Sequence, residues 1–161
     1  MKKILSLTLA LAMIGAILTG CSAKDAAVKT PAENTRQEQS RTEKALALIN
    51  TFATGDTDTA RSLLADGYIQ HNLAYGTGAD AFIGSVEYLA SADVKTTVNN
   101  IRTFEDGDKV FLQTIYNFAG AGEQVAFDIF RFDENGKIAE HWDVMETIAD
   151  QSTWQNQNGK F

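Results

Sequence analysis

The stretch Phe127-Asp128-Ile129-Phe130-Arg131-Phe132, the five residues Asp133-Glu134-Asn135-Gly136-Lys137, and then Ile138-Ala139-Glu140-His141-Trp142-Asp143-Val144-Met145-Glu146 together decide the fold. Two runs that alternate with period two flank an Asn-Gly step, which supplies the positive φ that a tight turn needs, so this is a β-hairpin. Most of the chemically rare residues of the chain sit on it. A long hairpin with one apolar face must have that face covered, and the segments that precede it read as helices able to do so.

Upstream of the hairpin the same period continues. Val94 to Phe104, Lys109 to Phe118 and Gln124 to Phe132 alternate, with turns at Asp106-Gly107 and at Ala119-Gly120-Ala121-Gly122. Before Asp93 the period is helical. Ala45, Leu46, Leu48, Ile49, Phe52 and Ala53 define a helix from about Thr42 to Thr54, stopped by Gly55. A second, short helix carries Ala60, Leu63 and Leu64 behind a cap at Asp56 or Asp58. Tyr68-Ile69-Gln70-His71-Asn72 reads as a short strand running into a loop. Thr77 and Asp80 resemble a capping box for a third helix bearing Phe82, Ile83, Val86 and Leu89. Helices first and a meander afterwards predict an α+β domain, a curved antiparallel sheet packed against three N-terminal helices.

The N-terminus reads as targeting. Lys2 and Lys3 precede an apolar run from Ile4 to Leu18 that ends in Leu18-Thr19-Gly20-Cys21, so residues 1–20 are expected to be a signal peptide. Those last four residues resemble a bacterial lipobox, which implies lipidation of Cys21, attachment to the membrane and a place in the cell envelope. Ser22 after the anchor favours the outer membrane if the host has two membranes. Cys21 is the only cysteine, so the fold has no intramolecular disulfide. Residues 21–41 are rich in Ala, Lys, Thr, Glu and Gln and contain the sole proline, Pro31, which predicts a disordered tether; residues 42–161 form one domain. The whole chain carries a net charge of −7, and losing Lys2 and Lys3 leaves 12 basic against 21 acidic residues, or −9. Such a surface is a poor partner for nucleic acid.

The order of elements, with Tyr-Ile-Gln-His-Asn after the second helix and Glu-His-Trp-Asp-Val near the end, resembles the SnoaL-like branch of the nuclear transport factor 2 superfamily, from about Thr42 to Ile148. The resemblance implies a cone-shaped α+β barrel with a pocket between sheet and helices, often assembled as a homodimer, and functions ranging from cyclases, isomerases, epoxide hydrolases and dehydratases to binding proteins without chemistry. Compared with ketosteroid isomerases, Asp128 falls on their oxyanion-hole aspartate. Phe127, Phe130 and Phe132 around it would favour its neutral form. Asn72 stands where those enzymes have their general base, and Leu48 where they have a tyrosine, so their reaction is not expected. Compared with the cyclases, Glu146 falls on an acid/base position.

Strand alternation puts Trp142, Val144 and Glu146 on one face and His141 and Asp143 on the other; a bulge would exchange the two. The expected cavity is largely apolar. Tyr68, Tyr88, Phe82, Phe111, Phe118, Phe127 or Phe130, and Trp142 would line it, with His71, Asn72 and His141 as polar anchors, and Asp128 and Glu146 as its catalytic candidates. His71, His141 and Asp143 could be read as metal ligands, but two histidines on different strands fit partly buried structural residues better. No nucleotide fingerprint or nucleophilic triad is present, and no cofactor is expected. The chain therefore reads as a tethered domain that binds a small organic molecule, or modestly transforms it by acid/base chemistry. A non-catalytic module that dimerises through its sheet face is the alternative.

Overall fold

A computed structural model describes residues 38–161. The segments expected to be a signal peptide and a tether, with Cys21, lie outside the described residues up to residue 37. Helix α1 spans Arg41–Thr54 and starts in a capping box, in which the Glu43 N–H donates to Ser40 Oγ (3.2 Å) and the Ser40 N–H donates to the Glu43 carboxylate (2.7 Å). Caps of this kind contribute about 1 kcal/mol. Gly55, at φ 73°, ends the helix. Helix α2, Thr57–Leu63, is capped by Asp56, and strand β1, Leu64–Gln70, follows it without a loop. Helix α3 covers Ala79–Ser91. Its start departs from the capping-box expectation. Gly78 occupies the cap and no side chain caps the helix; Thr77 Oγ1 instead accepts from the Gln70 N–H (3.2 Å), and Asp80 pairs with Arg61 (3.0 Å).

Four long strands follow: β2, Thr97–Asp106; β3, Lys109–Asn117; β4, Glu123–Phe132; and β5, Ile138–Thr147. They pair antiparallel in chain order, and β1 adds to β5 in parallel, so the sheet order is β1-β5-β4-β3-β2. The sheet is therefore mixed rather than wholly antiparallel. Register shifts between Asn100 and Arg102 and between Arg131 and Phe132 mark bulges, which let ten-residue strands curl around the helices. In the β4–β5 turn Gly136 takes φ 68°, while Asp133 Oδ1 accepts from the Asn135 and Lys137 N–H groups at 2.9 and 2.8 Å.

The core lies between the concave face of the sheet and the helices. Leu48, Val86, Val110, Leu112, Phe130, Phe132 and Ile138 are essentially inaccessible there. Each such side chain contributes about 1.5–3 kcal/mol of burial. On the convex face Phe104, Phe127 and Val144 are exposed, whereas Ile115 and Val125 are buried. The C-terminal residues run over that second region, where the Lys160 carbonyl accepts from Gln113 Nε2 (2.8 Å) and Lys160 Nζ meets Glu146 (2.6 Å).

Candidate functional site

The interior of the curl holds a cavity of about 670 Å³. Its apolar part is built by Ile49 and Phe52 of α1, Phe82 and Leu89 of α3, Phe118, and Phe130 and Met145 of the sheet. Its polar part is a patch on the facing strands: Gln70 at the end of β1, Tyr116 of β3, Asp128 of β4, and His141 and Asp143 of β5.

One local event on β5 decides which residues reach that patch. Phe132 pairs with Ile138, but Arg131 pairs with Glu140, so Ala139 is an extra residue. Ile138 points into the core, and strict alternation from it would send Glu140, Trp142 and Val144 inward as well. The bulge reverses the parity, and His141, Asp143 and Met145 face the cavity instead. Trp142 goes to the convex side, where its ring stacks on His71 at 4.4 Å. Its placement as a cavity wall is therefore corrected. Glu146 shares that outward face, pairs with Lys160 and does not reach the cavity, so it cannot act on a molecule held there. Phe111 and Phe127 are likewise off the cavity, because β3 and β4 turn their odd-numbered residues outward. Of the other aromatics named from the sequence, Phe82, Tyr88, Phe118 and Phe130 line it, and Tyr68 is buried beside it.

His71 also lies outside. Its Nε2 meets Glu140 at 3.0 Å, and Glu140 accepts from Arg131 Nε at 2.7 Å; these bonds hold the Glu140 carboxyl below the usual carboxylate range. The two neighbours of His71 turn the other way. Asn72 Nδ2 donates to Asp143 Oδ1 at 2.6 Å, and Gln70 Nε2 lies 3.1 Å from His141 Nδ1. Asn72 thus sits at the site as the group that holds a carboxylate.

Asp128 is buried, and both its oxygens are engaged. Tyr116 donates its hydroxyl to Oδ2 at 3.0 Å, and His141 Nε2 lies 3.2 Å from Oδ1. With a protein partner on each oxygen, Asp128 is tied into the strand network through Tyr116 and His141. The His141 ring is stacked flat on Phe130 at 4.4 Å. Asp143 differs from both. Only its Oδ1 has a protein partner among the described residues, and burial pushes its carboxyl pKa up from 3.8, opposed by the neighbouring His141 and the Asn72 bond and assisted by Asp128. Burial, with the Asp143 charge beside it, also raises the Tyr75 phenol at the cavity wall, and the same causes raise Tyr68. Both phenols therefore remain hydrogen-bond donors at neutral pH.

One oxygen each of Asp128 and Asp143 and one nitrogen of His141 lie within 4.8 Å of one another, the composition of a small divalent-metal site. The wiring of His141 does not suit one. A metal-bound imidazole donates its second N–H to an acceptor, whereas the second nitrogen here faces an amide donor. His71, which the sequence grouped with these residues, is on the other side of the sheet.

The sequence pointed to Asp128, His141 and Asn72, which the structure brings together. It missed Gln70, Tyr116 and Tyr75, and it left Asp143 among residues of undecided face. The period-two relation of Tyr68 and Gln70 was the available signal for Gln70. Nothing in the sequence marks Ala139 as a bulge.

Comparison with known proteins is consistent with this architecture. Residues 45–141 match the SnoaL-like domain family. Among solved structures, a nuclear transport factor 2-like protein of unknown function from Cytophaga hutchinsonii superposes with a TM-score of 0.59 at 16% identity, covering 69% of this chain and 94% of its own. An epoxide hydrolase of Mycobacterium tuberculosis, similar to limonene epoxide hydrolase, gives 0.58 at 18% identity, covering 66% and 82%. IdmH from Streptomyces antibioticus, a candidate polyketide cyclase, gives 0.54 at 18%, covering 67% and 93%. No curated protein matches the chain. At these identities the solved structures speak for the fold, and the match over most of the domain shows that the chain belongs to the SnoaL-like family, on a nuclear transport factor 2-like fold.

Proposed function

We propose that the domain takes a small, mostly apolar organic molecule into the cavity and moves a proton on it, with Asp143 as the general base. One observation carries this reading: Asp143 is the carboxylate of the polar patch that has an oxygen without a protein partner among the described residues, and burial raises its pKa toward the range where a base works well near neutral pH. Asn72 fixes its orientation. The Tyr75 phenol at the cavity wall is a donor suited to an oxygen on which negative charge develops. A base beside such a donor fits removal of a proton next to a carbonyl, and the candidate polyketide cyclase among the structural neighbours is in keeping with carbonyl-bearing substrates.

Proton exchange tests this directly. Small apolar ketones incubated with the protein in D₂O should lose their α-protons faster than in its absence, as read by NMR. Asp143→Asn should lower that rate by about 10²–10⁴-fold while ligand binding persists. A variant that exchanges as fast as the parent would remove Asp143 from the role of base. The proposal includes the anchor: the Leu18-Thr19-Gly20-Cys21 run supports a domain held at the cell envelope by lipid on Cys21. Fractionation of a Cys21→Ser variant should then find protein released from the membrane or left with its leader uncleaved, and normal processing with full membrane retention would contradict the anchor.

A further inference from the structure

We infer that Gln70, acting on one ring nitrogen while Asp128 faces the other, fixes the tautomer of His141 and thereby makes that histidine a support for the site instead of its base. The orientation of the Gln70 carboxamide is fixed by a neighbour that can only donate: the Asn72 backbone N–H lies 3.0 Å from one end of the amide, so that end is the oxygen. The other end, the NH₂ group, reaches His141 Nδ1 at 3.1 Å and the Tyr68 hydroxyl at 3.2 Å, one partner for each of its two protons. His141 Nδ1 must then accept, which places the ring's proton on Nε2, directed at Asp128 Oδ1 3.2 Å away. Tyr116 donates to the other Asp128 oxygen, so every donor in the chain from Asn72 through Gln70, His141 and Asp128 to Tyr116 meets an acceptor. With Phe130 stacked on its face, His141 has neither a free lone pair nor a free N–H with which to act on a ligand.

Gln70 is in this sense a positioning residue. It rests on the proposed reading only for its consequence, that Asp143 is left as the base; the tautomer can be read in the ligand-free protein. Parallel pairing of β1 with β5 brings the two residues side by side, Gln70 opposite His141. The same geometry says what a change would do. A carboxylate at position 70 has acceptors only, and would draw a proton onto Nδ1.

The experiment is ¹⁵N NMR of the two imidazoles, with a His71→Asn variant to assign them. The parent protein should show His141 with an unprotonated Nδ1 and a protonated Nε2. Gln70→Glu should move Nδ1 to the protonated end of the range, whereas Gln70→Met, of similar shape but with neither donor nor acceptor, leaves the Asp128 carboxylate to hold the proton on Nε2 and should keep Nδ1 unprotonated. Amide dispersion reports whether each variant keeps the fold, a readout that a merely structural role for Gln70 would move without any change in tautomer. A parent ring protonated on Nδ1, or a folded Gln70→Glu variant with an unprotonated Nδ1, overturns the inference. These outcomes do not depend on Asp143, so failure here is distinguishable from failure of the proton-exchange test.

Discussion

Three acids compete for a role at this site, and their surroundings separate them. Asp128 has a protein partner on each oxygen, Glu146 faces away and pairs with Lys160, and half-buried Asp143 has an oxygen without a protein partner among the described residues. That combination has a consequence for stability. The Asp143 carboxyl is raised above its unfolded value of 3.8 chiefly by burial, so the folded state binds its proton more tightly than the unfolded state. Below the unfolded value the group is neutral in both states and carries no penalty; as pH rises through the folded value the penalty is felt in full. Asp143→Asn, whose side-chain oxygen can still accept from Asn72, should therefore melt at a higher temperature than the parent at pH 7, with the difference closing as pH falls toward 4. A parent that is the more stable protein at pH 7 would contradict the raised value. Stability and function would then be opposed at one atom. The aromatic alternation around Asp128 made that residue legible as an interior acid in the sequence. The importance of Asp143 was not, because its face depends on a backbone irregularity two turns of the pleat away.

That irregularity belongs to the element scale. The β4–β5 hairpin was readable from two alternating runs and an Asn-Gly step, and Gly136 takes the positive φ there. Asn135 does not, so the turn is a wider loop than a two-residue hairpin, and it leads into the bulge at Ala139. The residues of the bulge carry no mark of it; only the pairing of Arg131 with Glu140 and Phe132 with Ile138 reveals the extra residue. Helix α1 was legible in its apolar stripe and at its C-terminal end, where Gly55 stops it; the Ser40–Glu43 capping box at its start, equally local, went unread. Helix α3 was legible in its apolar stripe and misread at its start. Thr77 has the chemistry of a cap, but its hydroxyl is taken by the Gln70 N–H across the loop, a non-local competitor. For the same reason the parallel pairing of β1 with β5 could not be read from a seven-residue strand: its partner lies some seventy residues on. Yet this pairing is what sets Gln70 beside His141.

At the scale of the molecule, a sheet curled by bulges and closed by α1 and α3 keeps a space that its own side chains do not fill. Apolar residues from the helices form one part of that space, and the strand ends supply the other with a connected set of polar groups. Gln70 and Asn72 come from the chain leaving β1, His141 and Asp143 from the strand beside it, and the rest from β3 and β4. The division matches what a mostly apolar ligand with one reactive polar group requires. It also explains why the family was legible while the chemistry was not: order of elements and apolar periodicity survive in the sequence, whereas the hydrogen-bond wiring arises from contacts between distant strands. The central claim is that Asp143 is an ionisable base inside this space. ¹³C NMR of the aspartate carboxyl groups, titrated with and without a small apolar ketone, tests it most directly. The account predicts that Asp143 titrates above 3.8 and that its titration shifts when the ketone is bound. An Asp143 that titrates at or below 3.8, unmoved by saturating ketone, would contradict it.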